Sequence, residues 1–521
     1  MLVLWVRRIT AGGLVVGAVL GLAGCGGDAG TAAGDKNATG ARATGTLRLG
    51  SVVVPASLAA SKAAWANDAP FHQAVYDTLL RQDPDLKIEP GLATEWSYNA
   101  DKTVLTLKLR TGVKFSDGTP FDAKVAAENI TRFRDGTSNL RSYLQEVRTA
   151  EAVDASTLRL TLSAPNPALL SYLAGAAGLQ ASPKTFGAAN ADTRPVGTGP
   201  YVLDAAKTVI GSTYVYKRNP NYWKPADQHY ASIVLTVYQT PTATVNAVRG
   251  GQVNGVAVPD ASVQQQVAAA GFDVKTSELN FLGLLLFDRD GKITPALKDV
   301  RVRQAINYAV DRPTLVKAVG KGLGTPTTQI FKATDKESFD PALDGRYPYD
   351  PAKAKQLLKD AGYAGGFAVT IPQVPSGSTV LYDLVKQELG AVGITVKYVN
   401  EPQNSLLADV AKGKFSVVAG LPLQTDPTAW HVANFKLLPH ATWNPFHTAD
   451  PTVAALAGKL QTGSAAEAAK AGKDLNRYIV EQAWFAPWYR PRLGFAVDRN
   501  TTAVPQQNNA YPYLWNITPR G

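Results

Sequence analysis

The chain is nearly free of sulfur: Cys25 is its one cysteine and Met1 its one methionine in 521 residues. No disulfide can close within it, so packing has to hold the fold. Histidine is scarce too, with five in all. His431, His440 and His447 share one segment, but spacings of 9 and 7 match no helical or zinc-ligand pattern. A metal or haem carrier is therefore disfavoured, and no cofactor is expected. There is no Gly-x-Ser-x-Gly elbow, no His-Glu-x-x-His, no phosphate-binding P-loop and no cysteine placed as a nucleophile, which argues against an enzyme. The net charge is +11, yet no run of five like charges occurs, so nucleic acid is not an expected partner. Past the first 24 residues no apolar stretch approaches the roughly 20 residues needed to span a bilayer.

What is present begins at the N-terminus. Arg7 and Arg8 precede a short apolar run, Ile9 to Leu20, then Leu22-Ala23-Gly24-Cys25. Positive start, apolar core and small residues make an export signal. Leu-Ala-Gly-Cys resembles the bacterial lipoprotein signal, which implies acylation of Cys25 and a lipid anchor on the outer face of the cell membrane. A buried thiol near an N-terminus is the plainer alternative. Residues 26–44, rich in Gly, Ala, Asp and Thr, read as a tether. A chain of this length exceeds one hydrophobic core, so two or more domains are expected behind it.

The first half of the body alternates at period two. Gly45–Gly50, Thr103–Arg110, Ser156–Leu162, Tyr214–Lys217 and Ser232–Tyr238 are predicted strands, each with one apolar face. Helices are expected over Ala69–Arg81 and Ala123–Phe133. The second half changes period. Asp299, Asp311 and Asp350 each stand where a helix N-cap belongs, with Pro313 and Pro351 in the first turns and Gly362 as a stop. Strands at Ala368–Ile371, Ile394–Tyr398 and Phe415–Val418 interleave with helices near 379–390 and 404–412, an α/β pattern with a partly parallel sheet. Asn280–Phe287 between the halves is a candidate crossover strand and hinge, and Phe485–Val497 is strand-like again.

Five ordered stretches carry a resemblance. They are Pro90-Gly91-Leu92-Ala93-Thr94-Glu95-Trp96 leading to Leu109-Arg110-Thr111-Gly112-Val113-Lys114-Phe115-Ser116-Asp117-Gly118-Thr119-Pro120; Gly197-Thr198-Gly199-Pro200-Tyr201; Lys217-Arg218-Asn219-Pro220-Asn221-Tyr222-Trp223; Asp299 to Arg312; and Tyr349-Asp350-Pro351 with Ala361-Gly362-Tyr363. The chain resembles the solute-binding proteins of peptide-type ABC importers, from about residue 45 to the end. The resemblance implies an α/β, two-lobed periplasmic-binding-protein-like fold of type II, in the large peptide-receptor subclass with an extra subdomain at about 82–188. The first lobe is expected over 45–280, the second over 285–485, and a C-terminal return to the first lobe over 486–521. It implies a monomer that encloses a peptide or peptide-like small solute and delivers it to membrane permease subunits. The motifs themselves read as scaffold: Asp117-Gly118 as a turn, Gly197 to Pro200 as a close backbone approach, and Arg301 and Arg303 as a solvated or ion-paired helix face.

Ligand residues are expected elsewhere. In peptide-binding members, a carboxylate just before an Asp-Pro of the second lobe holds the peptide ammonium. Here the matching stretch runs Gly420-Leu421-Pro422-Leu423-Gln424-Thr425-Asp426-Pro427 on to Trp430. The anchor position falls on Leu423 or Gln424, neither of which pairs with an ammonium, and Asp426 is the substitute candidate. A buried cation without a counter-charge costs several kcal/mol, so the departure disfavours ordinary peptides with free N-termini. Tyr143 matches the first-lobe tyrosine that faces ligand in oligopeptide receptors. Val53, in the loop after the first strand, is expected to line the cleft. Trp430, Trp443 and Tyr489 offer aromatic faces, each with core packing as an equally open reading. A membrane-tethered regulatory or scaffold protein of the envelope, using the same fold without transport, is the competing function.

Overall fold

One long strand, Phe485–Val497, organises the molecule. Its first half pairs antiparallel with the crossover strand Asn280–Leu286 and with Gly324–Pro326; its second half pairs antiparallel with Asp273–Glu278 and Gly255–Val258. The main path of the eleven-stranded sheet runs through Val417–Ala419, Asn280–Leu286, Phe485–Val497, Gly255–Val258, Thr46–Ser51, Ser232–Val237, Thr213–Arg218 and Tyr201–Leu203, with Asp273–Glu278, Gly324–Pro326 and Leu423–Gln424 pairing off it. Thr46–Ser51 lies parallel to Ser232–Val237, with Leu49 opposite Leu235. The computed structural model describes residues 45–278, 280–375, 378–424, 428–507, 509 and 511–520. Cys25, the leader and tether, and Asp426 lie outside the described residues.

The first lobe adds a four-stranded antiparallel sheet, ordered Ala93–Tyr98, Val104–Leu109, Thr157–Leu162 and Val147–Asp154. Leu105, Leu107, Leu158 and Leu160 are fully buried on one face, as the period-two runs require. The helix Ala123–Arg134, capped by Asp122 on the Val125 amide at 2.9 Å, covers that face. The glycine stretch does make a close approach: the Gly199 amide donates to the Val75 carbonyl at 2.8 Å, and a Cβ on Gly199 would fall 2.4 Å from the Val75 carbonyl carbon.

In the second lobe Asp299, Asp311 and Asp350 each accept a backbone amide at the helix starts Val300, Arg312 and Pro351. Phe367–Gln373 and Ile394–Asn400 pair in parallel, flanked by the helices Thr379–Ala391 and Gln403–Ala411. One apolar cluster extends from Leu49 and Leu107 in the first lobe into Phe415, Trp430, Leu437 and Leu475; a second, with Ile306, Ile371, Leu389 and Trp488, fills the α/β layers.

Two expectations need correction. The helix over Ala69–Arg81 stops at Gln73, and Leu80–Gln82 is a strand. Ala74, Val75, Leu79 and Leu80 are all fully buried, and their backbone is claimed by distant partners: the Leu79 amide by Gly178 and the Leu79 carbonyl by Ala93. The whole stretch is buried, polar His72, Gln73, Asp77 and Arg81 included, so the spacing of its apolar residues marks no single helix face. Arg303 is not on a solvated face. It is 5% exposed and donates to the carbonyls of Leu297, Lys298 and Gln482, and burial pushes its guanidinium down to about 10. Arg301 is the exposed, ion-paired one, 2.6 Å from Asp299.

At the junction of the lobes, Arg490 on the long strand is buried between two carboxylates. Its Nη2 lies 2.9 Å from Asp344 and its Nε 3.2 Å from Glu278. Arg490→Met leaves both carboxylates without this partner and is expected to lower unfolding free energy by up to about 3 kcal/mol, less than for a fully buried pair because both acids keep some solvent. Urea denaturation reads it, and a loss under about 1 kcal/mol contradicts the assignment. Glu388 provides a pH test. Burial pushes its carboxyl up to about 8, with Arg312 pulling weakly the other way. Between its unfolded value of 4.5 and about 8 the folded protein keeps a proton that the unfolded chain has released. Stability is therefore expected to fall as pH rises through that window, and Glu388→Gln to flatten the slope; an unchanged slope in thermal melts at pH 5 to 9 removes Glu388 as its source.

Candidate ligand-binding cleft

A cavity of about 300 Å³ is walled by segments distant in sequence, at the small end of the ~300–1,000 Å³ usual for small-molecule sites. Its wall takes Trp65, Gln82, Asn139, Leu140, Tyr143, Ser171 and Tyr172 from the first half of the chain and Leu423, His431, Phe435, Lys436 and Trp443 from the second. Local structure explains the placement. The turn Arg141–Leu144 sets Tyr143 beside the short helix Leu169–Leu173, so Tyr143 and Tyr172 stack with ring centres 4.0 Å apart. From the other lobe, His431 meets both tyrosines edge-on at 5.0 and 5.2 Å, and Phe435 meets Tyr143 at 5.8 Å.

The segment behind those second-lobe rings is unusual. Thr428 caps the helix Ala429–Val432 by accepting the His431 amide at 3.1 Å. The chain then widens into a π turn, Ala433–Leu437, closed by the Leu438 amide on the Ala433 carbonyl at 3.0 Å. Such wide turns are frequent at functional sites because they re-aim side chains. Here Phe435 and Lys436 both reach the cavity, although Lys436 is only 2% exposed. Its ammonium sits 5.5 Å from the centre of the Phe435 ring.

Polar bonds also cross between the lobes. Gln145 Nε2 donates to Asn434 Oδ1 at 3.0 Å, and Gln461 Nε2 donates to the Pro165 carbonyl at 2.9 Å. Gln145 also donates to Glu146, whose carboxyl is raised by burial despite a second donor, Asn166 at 2.8 Å. Both lobes are thus in contact around the cavity.

Of the residues expected from sequence, Tyr143, Leu423 and Trp443 are brought together in the cavity wall. Leu421 is half-buried beside it and Gly420, at φ 73°, turns the chain against Leu381; neither is in the wall. The backbone of Gln424 pairs with Asn280, and its side chain is outside the description. Trp430 is 4% exposed in the apolar cluster, and Tyr489 is 3% exposed against Gly320 and Gly324, so both are packing residues and neither lines the cavity. Val53 is half-buried and is not in the wall, its amide and carbonyl both engaged by the Ser51 hydroxyl. Trp65, Tyr172, His431, Phe435 and Lys436 were not expected. The one available signal was the i, i+4 spacing of His431 and Phe435 on a helical face. Among the described residues, no cluster of His, Cys, Asp or Glu is arranged to hold a metal ion.

A cleft walled by two lobes, joined by a strand common to both, is the geometry of a solute receptor. Residues 87–435 match the family model of bacterial extracellular solute-binding proteins, family 5. The chain belongs to that family. The glutathione-binding protein GsiB of Escherichia coli (strain K12) is 28% identical over 463 residues, covering 84% of this chain and 88% of that one. Among solved structures, the periplasmic binding protein AgaA of A. tumefaciens R10, in complex with agropinic acid, superposes with a TM-score of 0.81 at 24% identity, over 92% of this chain and 99% of that one. DppA of Helicobacter pylori, with the peptide STSA, gives 0.81 at 21%, over the same shares. These two share the two-lobed fold of the family 5 chain. The relatives are binding proteins, and no helix among its own described residues is long and apolar enough to cross a membrane.

Two tryptophans separate lining from packing. Trp443→Ala is expected to weaken ligand binding while leaving the fold intact, because Trp443 is part of the wall. Trp430→Ala is expected to cost about 3–5 kcal/mol of stability through the cavity it leaves. Equal effects of both on affinity, measured by calorimetry beside denaturant melts, contradict this division.

Proposed function

We propose that the protein is the lipid-anchored, extracytoplasmic substrate-binding component of an ABC importer. It captures a compact solute, peptide-like or of similar size, between its lobes and hands it to the permease. The observation that carries this reading is the interlobe cavity, with walls contributed by both lobes. Closure around a solute expels water, which strengthens each polar contact, and it presents the permease with a state distinct from the open one. The motion is assigned to the stretch where Glu278 leads into Asn280–Leu286 opposite Phe485–Val497. Gly283 fits there, since the register slips between Leu282 and Gly283 and a Cβ would fall 2.5 Å from the Ala486 carbonyl oxygen. The lobes are taken as 45–280 with 486–521, and 285–485, with the extra subdomain at about 82–188.

The ligands named for relatives support a compact polar solute: glutathione for GsiB and agropinic acid for AgaA. Tyr143, Leu423 and Trp443 are the proposed contacts, joined by Trp65, Tyr172, His431, Phe435 and Lys436 from the cavity wall. Gln424 and Asp426, which follow Leu423 in the chain, complete the set. The protein acts as a monomer that performs no chemistry on its ligand.

Two experiments test this. Native mass spectrometry of protein purified from its own cells is expected to show a bound small molecule, and cells lacking the protein are expected to lose uptake of that molecule; undiminished uptake refutes the importer role. Cys25→Ala is expected to move the protein from the membrane fraction to the soluble one, and retention at the membrane refutes the lipid anchor.

A further inference from the structure

A second cavity, of about 440 Å³, shares no lining residue with the cleft. Residues 109–113, Thr94 and Trp223 form its wall. Arg110 is held there from two directions. Its Nε donates to the Gly91 carbonyl at 2.8 Å, and its guanidinium carbon lies 4.4 Å from the centre of the Trp223 ring. Trp223 is fixed in turn, its Nε1 donating to Asp77 at 2.8 Å. Arg81 lies 5.5 Å from the Trp223 ring centre and 4.3 Å from that of Trp515, on which Tyr513 stacks at 4.4 Å. Arg110 is the last member of this chain of rings and guanidiniums. Stacking and the Nε bond fix the plane of its fork, and the donors on Nη1 and Nη2 meet no acceptor among the described residues.

The backbone beside it adds donors. The amides of Thr111, Gly112 and Val113 meet no acceptor among the described residues, and all three residues line the cavity. Gly112 stands at φ 75°, a left-handed turn of the kind that gathers successive amides on one concave side. The lining contains no carboxylate, and the two acids of the stack, Asp77 and Asp227, are paired with Arg81 at 2.9 and 2.6 Å. Donors without acceptors around an open space suit an oxyanion. A flat carboxylate fills a guanidinium fork alone, whereas a tetrahedral phosphate has further oxygens for the amides.

We propose that this cavity is a second ligand site, separate from the solute cleft, that takes the phosphate of a small ester or of a lipid headgroup, with Arg110 supplying the fork and Thr111, Gly112 and Val113 the amides. It stands independently of the importer reading.

The test uses the full chain carrying Cys25→Ala, so that no acyl anchor contributes. Calorimetry with inorganic phosphate and with glycerol 3-phosphate, against chloride at equal ionic strength, is expected to show binding. Arg110→Gln is expected to weaken it roughly 10- to 100-fold, the value of hydrogen bonds to a charged group, and Arg110→Lys to restore it only in part. Hydrogen exchange of the Arg110-bearing protein is expected to slow at residues 111–113 when phosphate is added, a readout that does not depend on any Arg110 variant folding. Sedimentation with vesicles of phosphatidylcholine, alone or mixed with phosphatidylglycerol, separates the two sources. Capture by the mixed vesicles that Arg110→Gln abolishes names the headgroup, and binding of the soluble phosphates without capture names the free ester. Absence of binding to every probe overturns the proposal. Equal binding by the Arg110-bearing protein and Arg110→Gln when both melt alike overturns it, as does phosphate protection that leaves 111–113 unchanged.

Discussion

The structure depends on the backbone pairing of one strand, Phe485–Val497. Nearly every residue on it is buried, so each of its amides and carbonyls needs a partner inside the protein. Those partners are Gly255–Val258, Asp273–Glu278, Asn280–Leu286 and Gly324–Pro326, which the strand ties together by main-chain hydrogen bonds. The two prolines in the strand, Pro487 and Pro491, lack a donor, and the architecture accommodates them. Pro487 faces the register slip at Gly283, and its carbonyl is taken by Arg312 at 2.9 Å. The irregular point of the shared strand therefore coincides with the proposed place of bending.

The second lobe is stiffened by arginines paired mainly with carbonyls. Arg312 serves Thr327, Pro487, Asn307 and Tyr347; Arg303 serves Leu297, Lys298 and Gln482; Arg289 serves Leu286 and the Asn444 amide oxygen while stacking on Trp484 at 4.1 Å. Burial lowers all three guanidiniums, Arg289 to about 9, but leaves them charged near neutrality. Carbonyls suit this task because they gather several backbone segments around one planar fork. The contacts that cross the cleft are of another kind. Among the described residues they include ring edges and the amide hydrogen bonds of Gln145 and Gln461, each hydrogen bond worth about 1 kcal/mol.

Local signals carried most of the fold. Alternation in Val104–Leu109 and Thr157–Leu162, and the caps Asp299, Asp311 and Asp350, depend only on neighbours a few residues away, so they read directly from the chain. The crossover strand and the tight approach at Gly199 were legible for the same reason. The failures share a cause as well. Ala69–Arg81 is buried on all sides, polar residues included, and Arg303 sits on a helix whose burial is set by a segment 179 residues later.

The sequence by itself determined most element types and, through its ordered motifs, the family, because propensity, period and capping are short-range. Only the tertiary structure decided which side chains face the cleft. Trp430 and Trp443 are alike in composition and near in sequence, yet one is core and the other wall. Tyr143, Tyr172 and His431 form one ring cluster only because two lobes bring them within 5.2 Å of one another. Lys436 faces the cavity because a π turn rotates it there, and nothing in the period of a helix announces that rotation. Proximity across two lobes is a property of how they pack, and no local pattern encodes it.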